Sequence, residues 1–286
     1  MKSASRQEEW TEIITPRRGL WDIPLRELWR YRDLTWLFVL RDIKAQYKQT
    51  ILGPLWFLVQ PLLSTLVFFF IFNRIARLPT DGIPPVLFYL SGIVLWSYFA
   101  ECLNKTSNVF TVNANIFGKV YFPRLTIPIS VVIGGLVRLA TQLFTLAIII
   151  IYYIYADEYR FQPNLALLLT PLLIVLLAAL GLSLGIIFSS LTTKYKDLSF
   201  LLAFGVQLWM YASPVIYPLR AVTGKLRDIL LLNPVTPVIE TFRYALFGSG
   251  YYEPGALLYT ALFSLVAFVI GIVIFNQVEK SFMDTV

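Results

Sequence analysis

Residues 164–191 read NLALLLTPLLIVLLAALGLSLGIIFSSL, a run without a single charged side chain. A bilayer core of about 30 Å is crossed by about 20 helical residues, and this run exceeds that length. Its apolar residues are continuous rather than alternating, which favours a helix over a strand of a transmembrane barrel. The stretch therefore indicates a fold built inside a membrane.

Further apolar segments approach or reach spanning length on both sides of this run, at residues 54–72, 86–103, 125–155, 198–217 and 256–276. Together they predict an all-α integral membrane protein, with six transmembrane helices in a domain at 51–286. The composition agrees, because 57% of residues are hydrophobic and only 14% are charged. A soluble domain carries about 25% charged residues, and a disordered chain has the opposite bias.

The chain before the first apolar segment divides into two parts. Residues 1–24 are polar, mixed in charge and without the apolar core of a signal peptide, which predicts a cytoplasmic N-terminal extension. Residues 25–48 carry apolar side chains at spacings of three, four and seven. They predict an amphipathic helix, within an interface domain at 25–50, that lies in the headgroup layer. A soluble helix packed on a core is the alternative.

The net charge is +7, and it is unevenly distributed. Most Lys and Arg residues precede the first segment or lie in the connections 104–124 and 192–197. The positive-inside rule places these connections and both termini in the cytoplasm. Basic membrane proteins owe their charge first to such loops, so we expect no nucleic-acid partner.

Several kinds of chemistry have no support in the sequence. There is no histidine, no phosphate-binding glycine loop with its lysine, and no pair of cysteines at metal-ligand spacing. The single cysteine, Cys102, lies in an apolar segment and is interpreted as a small buried side chain. We expect no catalytic residue, no metal site and no cofactor on this chain.

Arg138 lies well inside the third segment. An arginine at the centre of a membrane helix costs about 2.5–3.5 kcal/mol, so it must face protein or a wet cavity. Two interpretations remain open. It forms an ion pair or hydrogen bond with a neighbouring helix, or it contacts an anionic part of a substrate.

Aromatic residues make up 16% of the chain. Belts at the membrane interfaces explain some of them, but rings along a pathway also suit sugars, whose C–H faces stack on them. The candidate pathway residues are Trp56, Phe57, Tyr89, Trp96, Tyr98, Arg138, Phe204, Trp209 and Tyr211.

Three connections contain predicted short structural elements rather than simple turns. Residues 113–117 predict a short helix ended by Gly118, and 192–198 form a second short element facing the same side. Such elements can receive motion from a soluble motor, although solvated turns are the alternative. Residues 218–255 predict short re-entrant extracytoplasmic helices, with an amphipathic helix at 238–247 ended by Gly248.

The order of several motifs resembles the permeases of ABC-2 type polysaccharide and O-antigen ABC transporters. The motifs are RDIK at 41–44, YKQT at 47–50, LGPLW at 52–56, QP at 60–61, IFGKVYFPR at 116–124, KYKDL at 194–198, SPVIY at 213–217 and NP at 233–234.

This resemblance implies a homodimer paired with two separate ATP-binding cassette subunits, which would hold the ATP and Mg. It implies export of a lipid-linked polysaccharide, most simply an O-antigen, across a bacterial inner membrane. The first and fifth spans would line the route. Coupling to the ATPase would involve Arg41, Asp42, Lys44, Tyr47, Ile116, Phe117, Gly118, Lys119, Tyr121, Arg124, Lys194, Tyr195, Lys196 and Asp197.

Other functions are weighed against this one. An ABC-2 exporter of teichoic acid, capsule, a drug or a small lipid is the main alternative. A membrane enzyme such as a glycan polymerase needs paired carboxylates, whereas Glu101, Asp197 and Glu240 are scattered along the chain. An ion-driven transporter needs an acidic residue near mid-membrane, and none is expected there.

Overall fold

The computed structural model describes residues 25–283 except 49, 118, 121, 157, 158 and 160. The predicted N-terminal extension at 1–24 therefore lies outside the described residues. Within them the chain is helical and has no strand, which confirms the all-α prediction. The α-helices are α1 Leu25–Arg30, α2 Arg32–Tyr47, α3 Trp56–Phe68, α4 Pro85–Ser107, α5 Val109–Val112, α6 Ala114–Phe117, α7 Thr126–Tyr155, α8 Thr170–Lys194, α9 Leu198–Tyr211, α10 Lys225–Leu231, α11 Thr236–Phe247 and α12 Pro254–Met283.

Helical segments long and apolar enough to cross a bilayer number five in the described part of the chain. They are Gly53–Ile75, Pro85–Ser107, Thr126–Tyr155, Leu165–Lys194 and Pro254–Gln277.

The segment predicted at 198–217 is shorter than expected, because α9 has 14 residues and ends at Tyr211. Turns follow at 212–217. Pro214 has no backbone N–H and disfavours helical geometry at Ser213. The Ser213 hydroxyl also donates a 2.8 Å hydrogen bond to the Trp209 carbonyl. The apolar pattern gave no sign of this stop, since the residues beyond it are also largely apolar.

Helix α4 is the central helix of the bundle. It packs against α3, α7, α8, α9 and α11, and most of its 23 residues are buried. Its side chains supply much of the main apolar core. The rest of the fold is therefore positioned by what α4 contacts.

Two glycines bring α8 unusually close to α4. A Cβ built on Gly181 would lie 2.6 Å from the Cys102 Cβ, and one on Gly185 would lie 2.6 Å from the Thr106 Cβ. Small residues four apart let membrane helices approach at backbone distance. Cys102 is fully buried in this contact, which agrees with its interpretation as a small buried side chain.

The helix predicted at 25–48 is interrupted at Tyr31, which has φ −91° and ψ 17°. The Thr35 hydroxyl donates a 3.2 Å hydrogen bond to the Tyr31 carbonyl, and such local bonds compete with regular helix geometry. Beyond the break, α2 packs against α7 and buries Phe38, while Trp36 stays exposed.

The connection between α9 and α12 is folded rather than extended. It contains α10 and α11, and α11 ends at Gly248 with φ 71°. The short helix predicted at 238–247 is therefore confirmed, although it begins two residues earlier. Glycine is needed at this C-terminal position because a left-handed φ costs other residues energy.

Candidate functional site

Three parts of the chain meet at one end of the bundle. They are α2, residues 104–124 and residues 192–197, and we call them the basic end. The Arg41 Nη2 donates a 3.4 Å hydrogen bond to the Asn113 Oδ1. The Thr192 hydroxyl hydrogen-bonds the Ser107 carbonyl and so joins the ends of α8 and α4. The structure thus brings together the segments that the sequence selected for coupling.

Stacked rings fix this end internally. The Phe117 and Phe122 ring centroids lie 5.7 Å apart, Phe122 and Phe38 lie 5.5 Å apart, and Phe110 and Phe275 lie 4.7 Å apart. We call these five residues the phenylalanine cluster. Its members come from α2, residues 104–124 and α12, so these rings pack the three elements against one another.

The predicted coupling residues divide by exposure. Phe117 and Arg124 are buried, and the Arg124 guanidinium lies 5.4 Å from the Phe117 ring centroid. They hold the segment in place from inside. Gly118, Tyr121 and the Tyr47 side chain lie outside the described residues, and Ile116 and Asp42 are half-buried. The exposed members are Arg41, Lys44, Lys119, Lys194, Tyr195, Lys196 and Asp197.

Arg138 of α7 is the centre of a charged cluster. Its Nη1 lies 3.1 Å from the Glu101 Oε2, and Glu101 also lies 2.6 Å from the Lys105 Nζ. The Arg138 Nη2 donates a 3.0 Å hydrogen bond to the Gln46 Oε1, and its guanidinium lies 4.4 Å from the Phe57 ring centroid. Four helices, α2, α3, α4 and α7, therefore meet at one arginine.

These contacts match the first interpretation of Arg138, an ion pair and hydrogen bond with neighbouring helices, while contact with a substrate stays a prediction. The guanidinium is committed to a carboxylate, an amide and a ring of the same chain, so the ion-pair interpretation describes this structure. The Glu101 side chain is only 8% exposed. A carboxylate this enclosed needs its partners, because an unpaired buried charge is strongly destabilising.

We expect Arg138→Glu to destabilise the protein by about 2–4 kcal/mol, because it sets a second carboxylate against Glu101. The check is the thermal unfolding midpoint of the purified chain in detergent. Arg220→Glu is the matched control, since Arg220 is exposed, and it should leave the midpoint unchanged. Equal midpoints for the two variants would contradict the central place of Arg138.

A second ion pair lies at the opposite end of the bundle. Glu240 and Arg243 of α11 are 3.2 Å apart, and both side chains are 1% exposed. The Arg243 Nη2 donates to the carbonyls of Val215 at 2.8 Å and Phe88 at 3.2 Å, and Nη1 hydrogen-bonds Pro214. We call these five residues the arginine hub.

The arginine hub fixes the connection between α9 and α12 through one guanidinium. Tyr251 donates its backbone N–H to the Glu240 carboxylate at 3.2 Å, so the chain after α11 is fixed as well. Burial raises the pKa of the Glu240 carboxyl, and the nearby Arg243 charge opposes that rise. Burial lowers the pKa of Arg243 to about 10, which leaves it protonated at neutral pH. The sequence marked Glu240 only as a scattered acid and missed Arg243; their i, i+3 spacing was the available signal.

The nine predicted pathway residues divide into three groups by exposure. Phe57, Tyr89, Trp96 and Tyr98 are buried within the chain, where they pack against neighbouring helices. Trp209 and Arg138 are half-buried. Trp56, Phe204 and Tyr211 are exposed on the surface of the bundle.

Two glutamines were missed by the sequence analysis. Gln60 in α3 and Gln207 in α9 are exposed although they lie within apolar helices. A polar amide facing hydrocarbon is unfavourable, so these positions mark faces that meet water or another protein surface. Their isolation in otherwise apolar segments was the signal that could have found them.

The sequence profile of the family described as ABC-2 type transporter matches residues 33–247. This range holds both the basic end and the arginine hub. The chain belongs to the ABC-2 type transporter family. The resemblance carried by the motifs at 41–56, 116–124 and 194–198 is thereby confirmed.

Curated relatives resemble the chain over nearly its whole length. It is 30% identical over 256 residues to the O-antigen export system permease protein RfbA of Klebsiella pneumoniae. The aligned region covers 88% of this chain and 94% of the relative. Identity to the protein of the same name from Myxococcus xanthus is 25%, covering 92% and 98%. Identity to the polysialic acid transport protein KpsM of Escherichia coli is 24%, covering 86% and 93%.

Proposed function

We propose that this chain is the transmembrane subunit of an ATP-driven exporter that moves a lipid-linked cell-surface polysaccharide across the bacterial inner membrane. The observation that carries the proposal is the near full-length similarity to permeases named for O-antigen export. An O-antigen is the first substrate class to test. Similarity to KpsM supports the broader class of polysaccharides.

The sixth crossing belongs to α9 together with the turns after it. The preceding helix ends at Lys194 in the basic end. Residues 214 and 215 are held by Arg243, which also bonds Phe88 in the first turn of α4. Since α4 reaches the basic end at Ser107, this geometry supports a short helix that runs from one end of the bundle to the other. An even number of crossings puts both termini on the same side, and the distribution of Lys and Arg supports the cytoplasm as that side.

The basic end is the surface that would receive the ATP-binding subunits. Exposed positive side chains lie on α2 and on both connections there, and the phenylalanine cluster joins them to the spanning helices. A push on 104–124 would therefore reach α2 and α12 directly. ATP and Mg would be held by the partner subunits.

A second copy of the chain is proposed to cover α3 and α9. In both helices most apolar side chains are exposed or half-buried, and both present a glutamine. Facing copies would enclose Gln60, Gln207, Trp56, Phe204 and Tyr211 between them. Amides and rings together suit a passing sugar chain, because rings stack on C–H faces and amides bond hydroxyls.

The function is tested in cells that lack the chain. We expect finished lipid-linked polysaccharide to accumulate inside, and the wild-type chain to restore it to the surface. Unchanged surface polysaccharide would contradict the proposal. Retained efflux of dyes in the same cells separates polysaccharide export from the drug-export alternative.

The coupling surface is tested in the same cells with Lys196→Glu. Reversing an exposed charge at a proposed docking surface should lower surface polysaccharide about tenfold through weaker engagement of the ATP-binding subunit. Arg77→Glu is the control, since Arg77 is exposed in the turn between α3 and α4, and it should restore export fully. Full export by Lys196→Glu would remove 192–197 from the mechanism.

A further inference from the structure

A cleft of about 490 Å³ opens at the basic end between α2 and the adjoining ends of α4 and α7. We call it the basic-end cleft. Its polar wall includes Arg41, Gln46 and Lys105, and its apolar wall includes Val112 and Val131. The volume falls within the range of about 300–1,000 Å³ that is typical of small-molecule sites. Arg41 pairs with Asp42 at 2.7 Å on this wall, and the cleft stays open beside that pair.

A smaller cavity lies beside the basic-end cleft, against the charged cluster. A cavity of about 20 Å³, the size of about one water molecule, shares Asp42, Gln46 and Lys105 with the cleft and reaches Arg138. Counting the charged side chains of both gives three cations, Arg41, Lys105 and Arg138, against two carboxylates, Asp42 and Glu101. One positive charge is left over, which favours an anionic ligand.

The level of the cleft in the membrane points to the kind of anion. Lys105 lies in the last turn of α4, and Val131 lies in the second turn of α7. The ends of spanning helices lie at the level of the lipid headgroups, where the phosphate groups are. A site with cations on one wall and valines on the other matches a lipid, whose charged phosphate continues into apolar chains.

We propose that the basic-end cleft binds the phosphate group of an anionic lipid. Arg41 and Lys105 contact the phosphate at the rim, while the apolar wall receives the first part of the lipid tail. Phosphate of this kind comes from two sources, a resident phospholipid or a polyprenyl diphosphate carrier. Both would bind through the same interactions, with the phosphate at the cations and the tail at the apolar wall. Occupancy would brace α2 against α4 and α7, the helices that the charged cluster already joins.

The test uses the purified full-length chain in a neutral detergent, titrated with lipids and followed by native mass spectrometry. Phosphatidylglycerol and a polyprenyl diphosphate are the anionic probes, and phosphatidylcholine is the zwitterionic one. We expect tighter binding of at least one anionic probe. Removing one cation, as Lys105→Gln or Arg41→Gln, should weaken that binding about fivefold, following about 1 kcal/mol per basic residue at a lipid surface.

Control variants separate this site from a general attraction of charges. Lys105→Arg keeps the charge and should retain the affinity. Lys196→Gln removes an exposed positive charge from the same end but outside the cleft, and it should bind as the wild type does. Preference for phosphatidylglycerol assigns the site to resident lipid, and preference for the diphosphate alone assigns it to the carrier.

Two results would overturn the proposal. The first is equal binding of anionic and zwitterionic lipids, or an equal loss of anionic-lipid affinity in Lys196→Gln and Lys105→Gln. The second is unchanged lipid affinity in Arg41→Gln and Lys105→Gln while both lose an ATP-binding subunit, which would assign the cleft to protein docking. Neither readout uses polysaccharide export, so the proposed function can fail or succeed independently.

Discussion

Gly185→Ala should prevent the protein from accumulating in a folded form. The added Cβ would lie 2.6 Å from the Thr106 Cβ and 3.0 Å from the Leu103 carbonyl. Both are parts of α4 that cannot rotate away, so α8 and α4 must separate. Overpacking of this kind costs about 1–3 kcal/mol and occasionally more, and here it forces the central helix away from α8, the helix that it contacts most extensively. Gly181→Ala, with a Cβ 2.6 Å from the Cys102 Cβ, should act in the same direction.

The measurement is the amount of monodisperse protein after detergent extraction, with its thermal unfolding midpoint. Gly205→Ala is the matched control, because its Cβ would meet nothing within 4 Å. A second comparison uses adjacent residues, since Gly135 has Tyr98 at 3.0 Å while Gly134 has only Val39 at 4.0 Å. Normal yields of Gly185→Ala would show that α4 and α8 tolerate a wider spacing.

The spanning helices were largely predictable from the sequence, because hydropathy alone determines which segments leave water. The 164–191 run and the segment 125–155 match observed helices closely. The predicted helix at 198–217 failed beyond Tyr211 because apolar residues continue past the stop. Where α9 ends depends on Pro214 and on Arg243, which binds the Pro214 carbonyl from 29 residues further along the chain. Hydropathy carries no information about either.

The contacts between helices were much less predictable. The sequence showed that Arg138 needed a partner, yet Glu101, Gln46 and Phe57 are distant from it along the chain. Arg124 was placed in the coupling group by its motif, whereas the structure buries it against Phe117. The motifs selected segments that meet at the basic end, but the direction of each side chain there depends on packing.

Arg243→Met should lower the free energy of unfolding by about 3–5 kcal/mol, because it leaves the Glu240 carboxylate buried without its cation. Methionine fills a similar volume, so the effect reports charge and hydrogen bonding more than an empty cavity. The carbonyls of Pro214, Val215 and Phe88 lose their donors as well. We expect the turns after α9 to open first. Protease cleavage at 212–222 in detergent should therefore rise before the spanning helices unfold.

Glu240→Gln separates the two contributions of the arginine hub. A glutamine can still accept a hydrogen bond from the Tyr251 N–H, and Arg243 keeps its carbonyl acceptors. This variant should therefore lose less stability than Arg243→Met. Joining both changes removes the unpaired carboxylate, and the double variant should be more stable than Arg243→Met alone. If the two losses simply add, the ion pair is not coupled, and the arginine stabilises the fold through the carbonyls only. The thermal unfolding midpoints of the four proteins decide between these results, because the coupling is read from their differences rather than from any single value.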